Sequence, residues 1–553
     1  MLEGLVQHDH PLTLQHVLGR MRTVYGGSEV VTLTSAEGDV ERATYAEVCA
    51  RVDRLANALR SRLGVSEGDR VATFAWNSQR HLEVYLATPC IGAVLHTLNL
   101  RLFEEQLTYI ANHAQDKVVF VDDSVVPLLE KVAPTFETVE HYVVMGDGDC
   151  GSLPGAIRYE ELIADQPSEF DYPSLDDRMA AGLCYTSGTT GNPKGVLYSH
   201  RSQILHSFGT CLADAMGLQE SDRVLPIVPM FHANSWGIPY AAGLTGCDLV
   251  MPGRFLQAQP LAGLIVSERV TVSAAVPTIW MDLLRFVDST PDVDLSSLRT
   301  VICGGAAVPL SLMQQFEERH GVRIIQAWGM TEMSPLGTVA RPPGDVDSDS
   351  DEQWRYRDRA GRLMPLVEAR LVADGGSEVP WDGESTGELQ VRGPWIASAY
   401  YEDASGADKF DDGWLRTGDI ASIDSRGFVR ITDRSKDVIK SGGEWISSVE
   451  LEGELMAHPS VAEAAVIARP DERWTERPLA CVVLAEGESV APAELCSHLR
   501  SRVAKWWVPE EFAFIDEVPK TSVGKFDKKV LRKRLEEGEL ERRPVEQAAG
   551  SST

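Results

Sequence analysis

Short apolar runs alternate with amphipathic stretches over most of this chain. Runs rich in β-branched residues predict strands at Arg70–Ala75, Lys117–Val121, Arg223–Val228 and Thr300–Cys303. Apolar positions three and four residues apart predict helices over Tyr45–Leu63 and Arg80–Thr88, the second ending before Pro89. Strands that alternate with helices in this way favour an α/β fold with largely parallel sheets.

The pattern changes near residue 380. From Thr386 to Ile431 short strands and turns follow one another, which predicts a β subdomain over about 360–432. Beyond it the α/β pattern returns, with predicted helices and strands at Ser448–His458, Ala464–Ala468, Ala480–Leu484 and Pro492–Val503. We therefore expect a large N-terminal domain of mixed α/β sheets over 1–435, a small mobile α+β C-terminal lid domain over 436–542, and a disordered tail over 543–553.

Composition narrows the function classes. The chain has 553 residues, 43% hydrophobic and 24% charged, which is typical of a globular protein with more than one core. Its 52 basic and 82 acidic residues give a formal net charge of −30, which argues against a nucleic-acid partner.

Cysteine usage and hydropathy bear on location. The nine cysteines form no CxxC pair, as expected for reduced thiols. The first fifteen residues have early acids and no apolar core, so we expect no signal peptide. No window reaches the roughly 18 apolar residues that a spanning helix needs. We therefore expect a cytoplasmic protein, with no more than peripheral membrane contact.

The segment Tyr185–Gly195, which reads YTSGTTGNPKG, has the chemistry of a phosphate-binding loop. Closely spaced glycines let backbone amides turn toward an anion. Lys194 adds a positive charge, and hydroxyl donors come from Thr186, Ser187, Thr189 and Thr190. It is not a Walker A loop, because no glycine directly precedes Lys194 and Gly195 follows it in place of Ser or Thr.

Two further motifs suit a nucleotide. In Gln326–Glu332 (QAWGMTE), Trp328 offers a flat stacking surface, and Thr331 with Glu332 suits a hard cation or a phosphate. In the WLRTGD motif, Asp419 lies in a glycine turn and suits a ribose diol.

Two more motifs lie in the C-terminal region. The loop Gly442–Trp445 follows Lys440. The PKTSVGK motif presents Lys525 beyond a glycine turn. The basic residues that follow are interpreted as a solvent-exposed helix face: Lys528, Lys529, Lys533 and Arg534.

In this order the motifs resemble those of the adenylate-forming superfamily, from the Thr44–Tyr45 region to Lys525. The segments Gly92–Leu102 (GAVLHTLNLRL) and Trp328–Gly337 (WGMTEMSPLG) look most like its medium- and long-chain fatty acyl-CoA synthetases. The resemblance implies a ligase that makes an acyl-adenylate and pyrophosphate from a carboxylic acid and ATP. The thiol of CoA then displaces AMP. It also implies a requirement for Mg²⁺ and, from the long-chain relatives, a homodimer.

The resemblance also implies the role of each site residue. Lys525 would bridge the carboxylate and the α-phosphate, and Thr186 and Glu332 would meet Mg²⁺. Trp328 stands where the family usually has an adenine-stacking tyrosine, so a hydrogen bond from a phenol is in doubt. The implied ATP-binding residues are Thr186, Ser187, Gly188, Thr189, Thr190, Gly191, Lys194, Gln326, Trp328, Gly329, Met330, Thr331, Asp419, Arg434, Lys436, Lys440, Trp445 and Lys525. Lys436 is also the implied hinge, and the implied CoA side is formed by Gly442, Gly443 and Glu444.

The segment Pro229–Trp236 (PMFHANSW) gives the best indication of which carboxylic acid is the substrate. By resemblance, His232 lies between the acyl pocket and the thiol tunnel as a catalytic residue, and Trp236 is a gate. The rest of the implied acyl pocket is Val276, Gly304, Gly305 and Ala306. These segments lack a charged residue, which favours an apolar acid.

Several alternatives stay open. One alternative within the same branch is a ligase for methylthiopropionate or another short-chain acid. An alternative of a different class is an enzyme that loads the acyl group onto a carrier protein, although no fused carrier domain is recognised. A non-catalytic homologue and a luciferase-type oxidase are less well supported, since Lys525, Glu332 and Asp419 are intact.

Overall fold

The computed structural model describes residues 2, 4–186, 192–347, 349–373, 375–434, 437–441, 444–521 and 525–545, with the backbone alone at 405, 444 and 445. The strands of these residues form three sheets. We call them sheet one, sheet two and sheet three.

The strands are numbered in chain order. Residues 29–199 contain β1 (Glu29–Leu33), β2 (Val40–Thr44), β3 (Arg70–Phe74), β4 (Val94–Thr97), β5 (Asp116–Asp122), β6 (His141–Met145), β7 (Ile157–Arg158), β8 (Ala180–Tyr185) and β9 (Gly195–Ser199). Residues 223–434 contain β10 (Arg223–Pro226), β11 (Asp248–Met251), β12 (Val272–Ala275), β13 (Thr300–Gly304), β14 (Ile324–Gly329), β15 (Leu336–Val339), β16 (Gly361–Leu363), β17 (Glu368–Val372), β18 (Gly387–Arg392), β19 (Phe410–Asp411), β20 (Trp414–Ile423) and β21 (Phe428–Arg434). Residues 439–544 contain β22 (Ile439–Ser441), β23 (Glu444–Ile446), β24 (Val461–Asp471), β25 (Thr475–Leu484), β26 (Glu511–Phe514) and β27 (Arg542–Pro544).

The helices are numbered in the same way. They are α1 (Gln15–Thr23), α2 (Tyr45–Ser61), α3 (Gln79–Cys90), α4 (Glu104–Ala114), α5 (Val126–Val132), α6 (Tyr159–Ile163), α7 (His200–Cys211), α8 (Ile238–Thr245), α9 (Ala258–Ser267), α10 (Pro277–Ser289), α11 (Leu310–His320), α12 (Glu352–Arg357), α13 (Ser448–Met456), α14 (Pro492–Arg500) and α15 (Lys528–Glu536).

Sheets one and two make up the large N-terminal part. Sheet one has the order β17-β18-β20-β21-β16-β15-β14-β13-β12-β10-β11-β1-β2, with β19 beside β20, and sheet two has the order β7-β6-β5-β3-β4-β8-β9. Their largest apolar cluster includes Leu55 of α2, Tyr85 of α3, Val71 of β3 and Val224 of β10, all fully buried. Each such side chain contributes about 1.5–3 kcal/mol by leaving water.

Sheet three forms the smaller C-terminal part, in the order β23-β22-β25-β26-β27 with β24 beside β25. It packs on α13 and α14 through buried residues such as Leu451, Val482 and Leu495. The predicted fold class is confirmed. Strands β16–β21 of the predicted β subdomain continue sheet one through the pairing of β15 with β16, and the domain boundaries themselves stay predictions.

Two local predictions were wrong. Helix α3 runs through Pro89 and does not stop before it. Proline at 89 has no N–H for the carbonyl of Tyr85, four residues earlier, and the hydroxyl of Tyr240 donates to that carbonyl at 3.4 Å. The predicted disordered tail begins too early, because Arg542–Pro544 pairs with β26 as strand β27. Residues 546–553 lie outside the described part.

Within the described ranges, no helix combines the length and the apolar character needed to cross a membrane.

Candidate active site

One cavity of about 1640 Å³ opens at the carboxyl ends of parallel strands of sheet one. Strands β10, β12, β13 and β14 run side by side in the same direction, so the segments that follow them meet at one edge. His232 lies beyond β10, Gly304 ends β13 and Gly329 ends β14, and all three line the cavity. Sheet two contributes Thr186, directly after β8, and Lys194.

Two of these strand ends require glycine for packing. A Cβ on Gly304 would lie 2.6 Å from the carbonyl oxygen of Ala327 and 3.4 Å from Cη2 of Trp236. A Cβ on Gly329 would collide with the carbonyl oxygen of Pro335. The backbone of β14 and the ring of Trp236 can therefore approach only because side chains are absent here.

Trp328, Asp419 and Arg434 form one polar group beside the strand ends. Asp419 on β20 and Arg434 on β21 are cross-strand partners, and Arg434 Nε lies 3.5 Å from Asp419 Oδ1. The indole Nε1 of Trp328 donates to Asp419 Oδ2 at 2.9 Å. Trp328 therefore orients the carboxylate as well as offering a stacking face, a contact that the sequence did not predict.

Glu332 is buried and held by a tyrosine that sequence reasoning missed. The hydroxyl of Tyr400 donates to Glu332 Oε1 at 2.6 Å. Lys194 Nζ lies 4.9 Å from the centre of the Tyr400 ring and 3.6 Å from Asp403 Oδ2. Burial raises the pKa of the Tyr400 hydroxyl, and the negative charge of Glu332 raises it further, so it stays a donor. Tyr400 thus connects the lysine of the phosphate-binding loop to the predicted metal ligand.

Glu332 and Thr186 both line the cavity, and their oxygen atoms would suit Mg²⁺ delivered with ATP. Thr186 Oγ1 accepts from the amide of Lys194 at 3.2 Å, which fixes the hydroxyl near the start of the loop. Among the described residues, no group of three or more His, Cys, Asp or Glu side chains is arranged to hold a metal ion alone. Mg²⁺ commonly takes one or two protein ligands together with substrate phosphates and waters. One carboxylate and one hydroxyl match that pattern.

Lys525 reaches into the cavity from the C-terminal part of the chain. The amide of Thr521 donates to the Lys525 carbonyl at 2.7 Å, and the Lys525 amide donates to Thr521 Oγ1 at 3.2 Å. The Lys525 Cε atom lies 3.5 Å from the point where Gly305 would carry a Cβ. Burial lowers the pKa of Lys525 to about 8, and repulsion by Arg434 adds to this shift.

His232 lies in the same electropositive surroundings. Burial lowers its pKa to about 3, with further repulsion from Lys525 and Arg101. The imidazole is therefore neutral at physiological pH. Arg101, which also lies near this site, was not singled out in the sequence.

Trp236 lies in an unusual turn beside His232. The φ angles of Ala233, Asn234, Ser235 and Trp236 are 38°, 49°, 51° and 54°, so four consecutive non-glycine residues are left-handed. Trp236 is only 8% exposed and packs against the Gly304 end of β13.

Other predicted residues have different positions. Lys440 is exposed on β22, pairs through the backbone with Trp445, and does not line the cavity. Gln326 lines it, but its amide Oε1 accepts from Val308 N at 2.8 Å and its Nε2 donates to Arg359 O at 2.6 Å. Both ends of the Gln326 side-chain amide are thus hydrogen-bonded to the protein backbone.

The remaining predicted residues divide into three sets. Met330, Thr331, Gly305 and Ala306 line the cavity, and Val276 Cγ1 packs next to Gly305. The backbone of Glu444 and Trp445 forms β23, with their side chains outside the description. The residues that lie outside the described part altogether are Ser187, Gly188, Thr189, Thr190, Gly191, Lys436, Gly442 and Gly443.

Lys528 corrects a prediction. Its side chain is 11% exposed and lies 2.7 Å from Glu452 Oε1, so it is not part of a solvated helix face. Lys529 and Lys533 of the same helix are exposed, as predicted.

Comparison with known proteins identifies the class. The family models of the AMP-binding enzyme and of the AMP-binding enzyme C-terminal domain match residues 22–401 and 450–525. The chain therefore belongs to the AMP-binding enzyme family. This family and the fatty-acid–CoA ligases among its relatives confirm the predicted enzyme class, an AMP-forming acid–thiol ligase whose substrates include ATP and CoA.

Its relatives are similar over nearly their whole length. The long-chain-fatty-acid–CoA ligase of Thermus thermophilus is 46% identical over 528 residues, 95% of this chain and 96% of that protein. The medium-chain-fatty-acid–CoA ligase of Ectopseudomonas oleovorans is 44% identical over 514 residues, 92% of this chain and 94% of that protein. The 3-methylmercaptopropionyl-CoA ligase of Ruegeria pomeroyi is 45% identical over 529 residues, 95% of this chain and 97% of that protein.

A solved structure supports the fold. The anthranilate CoA ligase AuaEII in complex with anthranoyl-AMP matches with a TM-score of 0.86 at 27% identity, over 96% of this chain and 99% of that chain.

Proposed function

We propose that this chain joins a medium- or long-chain fatty acid to CoA through an acyl-adenylate, using the residues assigned below. The observation that carries the proposal is the position of Lys525. Its side chain reaches Gly305 at the strand ends, in the same cavity as Asp419, Glu332 and Lys194. An ammonium group at this point neutralises the anions that adenylation brings together.

In the first half-reaction, a carboxylate oxygen of the acid attacks the α-phosphorus of ATP. A new P–O bond forms, and the bond to pyrophosphate breaks. Lys525 stabilises the negative charge on the entering carboxylate and the α-phosphate, and Lys194 stabilises the leaving pyrophosphate. Asp419 accepts from the ribose hydroxyls, while Trp328 stacks on adenine. Mg²⁺ supplies further charge neutralisation when it is bound by Thr186 and Glu332.

In the second half-reaction, the sulfur of CoA attacks the carbonyl carbon of the acyl-adenylate. A thioester forms, AMP leaves, and the thiol proton passes to solvent. Rotation at Lys436 withdraws Lys525 and brings Gly442, Gly443 and Glu444 to the CoA side.

The cavity walls support an apolar acid. Its lining includes His232 together with the apolar side chains of Met216, Trp236, Pro277 and Leu336. The neutral imidazole of His232 adds no charge to this wall. A hydrocarbon chain gains about 0.8 kcal/mol for each CH₂ that it buries here, which is about fourfold in kcat/KM.

Methylthiopropionate is a second candidate substrate. The ligase of Ruegeria pomeroyi that is named for this acid has 45% identity to the chain, against 44% and 46% for the two fatty-acid ligases. Identity therefore does not separate the two acids.

Pyrophosphate release across straight-chain acids from C4 to C16, with methylthiopropionate included, tests the proposal. Pentanoate is the matched control, since it has CH₂ in place of sulfur. We expect kcat/KM to rise through the short acids to a maximum at a medium or long chain. A flat, low profile would contradict the fatty-acid assignment, and a rate with methylthiopropionate well above that of pentanoate would favour the second candidate. AMP release that depends on free CoA excludes loading of a carrier protein.

The homodimer is proposed from the resemblance to long-chain relatives. The cytoplasmic location, with no more than peripheral membrane contact, is proposed from cysteine usage and hydropathy. Sedimentation velocity tests the dimer.

A further inference from the structure

A second lysine that is largely withdrawn from solvent lies at the start of α15, three residues after Lys525. Lys528 Nζ lies 2.7 Å from Glu452 Oε1 of α13, and the side chains are 11% and 9% exposed. Burial acts to lower the pKa of Lys528, but the attraction of Glu452 and Asp433 outweighs it and holds the pKa above its ordinary value. Lys528 is therefore an ammonium group at neutral pH. Withdrawing an ammonium group from water costs free energy. We therefore look for a structural role of Lys528 in the contacts that offset this cost.

The hydrogen-bond network of Lys528 extends to β21, which is the last strand of sheet one in chain order. Its Nζ donates to Ser448 Oγ at 2.5 Å, and Ser448 Oγ donates to Asp433 Oδ2 at 2.6 Å. The amide of Ser448 donates to the same Asp433 oxygen at 2.8 Å. Asp433 belongs to β21 of sheet one, and Ser448 begins α13 beside sheet three. The network thus crosses between the large and the small part of the chain.

Arg532 adds a contact one helical turn further along α15. Its Nη1 donates to Asp437 Oδ1 at 2.7 Å. Residues four apart share one face of a helix, so Lys528 and Arg532 act from the same side of α15. Lys528 is linked to Asp433 through Ser448, and Arg532 is bonded directly to Asp437. These two aspartates lie on either side of positions 435 and 436 in the sequence. We predict the hinge at Lys436, which lies outside the described residues, and a rotation there would change the separation of Asp433 and Ser448.

We propose that Lys528 is a positioning residue for Lys525. Through Glu452 and Ser448 it holds the start of α15 against sheet one, and this holds Lys525, three residues earlier, in the arrangement needed for adenylation. Lys528 lines the same cavity as Lys525, but its Nζ is engaged by Glu452 and Ser448. The proposal therefore gives it no contact with the acid, ATP or CoA and no part in thiolysis. This role rests on the proposed function of Lys525.

The test compares the two half-reactions in Lys528→Met. We expect acid-dependent ATP–pyrophosphate exchange to fall about ten- to a hundredfold, because a displacement of about 1 Å costs rates of that order. Thiolysis of supplied acyl-adenylate is expected to stay within about twofold of the wild type. Lys533→Met is the matched control, since Lys533 lies on the same helix with a side chain that is 71% exposed. Both of its half-reactions are expected to be unchanged.

A second variant separates positioning from folding. Burial raises the pKa of Glu452 to about 7 even beside Lys528, so in Lys528→Met this acid loses its cation and takes up a proton at still higher pH. Lys528→Met/Glu452→Gln replaces it with an amide that is neutral at every pH. Glutamine at 452 keeps an acceptor for the amide of Val466, which donates to Glu452 Oε1 at 2.7 Å. We expect the double variant to regain the thermal stability of the wild type while its exchange rate stays low.

Two outcomes would overturn the positioning role. One is recovery of exchange together with stability in the double variant. The other is an equal loss of both half-reactions in the single variant. A wild-type protein without acid-dependent exchange would instead contradict the proposed function.

Discussion

The ionisation of Lys525 predicts how adenylation depends on pH. Burial, reinforced by Arg434, lowers its pKa from 10.5 to about 8. The protonated form carries the positive charge that stabilises the reacting anions, so activity is present below this pKa and is lost as the pH rises through it. With ATP and acid far below saturation, the rate reports the ionisation of the free enzyme.

The size of the effect follows from the titration. About nine-tenths of Lys525 is protonated at pH 7, half at pH 8 and about one-tenth at pH 9. The rate should therefore fall about tenfold between pH 7 and pH 9. His232 does not contribute, because its pKa of about 3 leaves it neutral over this range. At saturation the bound phosphates and carboxylate favour the ammonium form, so the decline should move to higher pH.

The assay is the initial rate of ATP–pyrophosphate exchange from pH 6.5 to pH 10. Lys525→Arg is the comparison, because a guanidinium stays charged throughout. We expect a slower variant whose rate does not decline near pH 8. A decline near pH 8 in both proteins, or none below pH 10 in the wild type, would refute the assignment to Lys525.

Three further substitutions test contacts in the cavity. Tyr400→Phe removes the donor to Glu332 and should raise the KM for MgATP about tenfold; an unchanged KM would show that the bond does not matter. Trp328→Phe keeps a stacking face but removes the donor to Asp419, so we expect weaker ATP binding by about three- to thirtyfold in equilibrium titration, and equal affinity would contradict this. Gly304→Ala places a Cβ 2.6 Å from a carbonyl oxygen of the next strand and should destabilise the fold by about 1–3 kcal/mol in urea unfolding, whereas unchanged stability would contradict the packing.

Much of the site could be predicted because its parts are local in sequence. The glycine turns, Trp328, Asp419 and Lys525 each occur in a short motif with recognisable chemistry. The parallel strands β12, β13 and β14 bring Gly304 and Trp328 to one edge of sheet one. Asp419 instead reaches the cavity from the antiparallel strand β20, and Lys525 from the segment before α15. The resemblance to a known family then assigned a role in the reaction to each of these residues.

The missed features depend on contacts between distant segments. Tyr400 lies 68 residues from Glu332, and its own segment has no motif that predicts the bond. Lys528 looks like one member of a basic run until α13 supplies Glu452. Pro89 breaks the helical pattern in the sequence, but the hydroxyl of Tyr240 from another helix satisfies the free carbonyl.

The central claim is that Lys525 serves adenylation in a two-step ligase. The most direct measurement compares both half-reactions in Lys525→Ala, with Lys533→Ala as the control on an exposed lysine. The account predicts that acid-dependent ATP–pyrophosphate exchange falls at least about a hundredfold, while CoA still converts supplied acyl-adenylate to acyl-CoA at nearly the wild-type rate. Undiminished exchange in Lys525→Ala would contradict it.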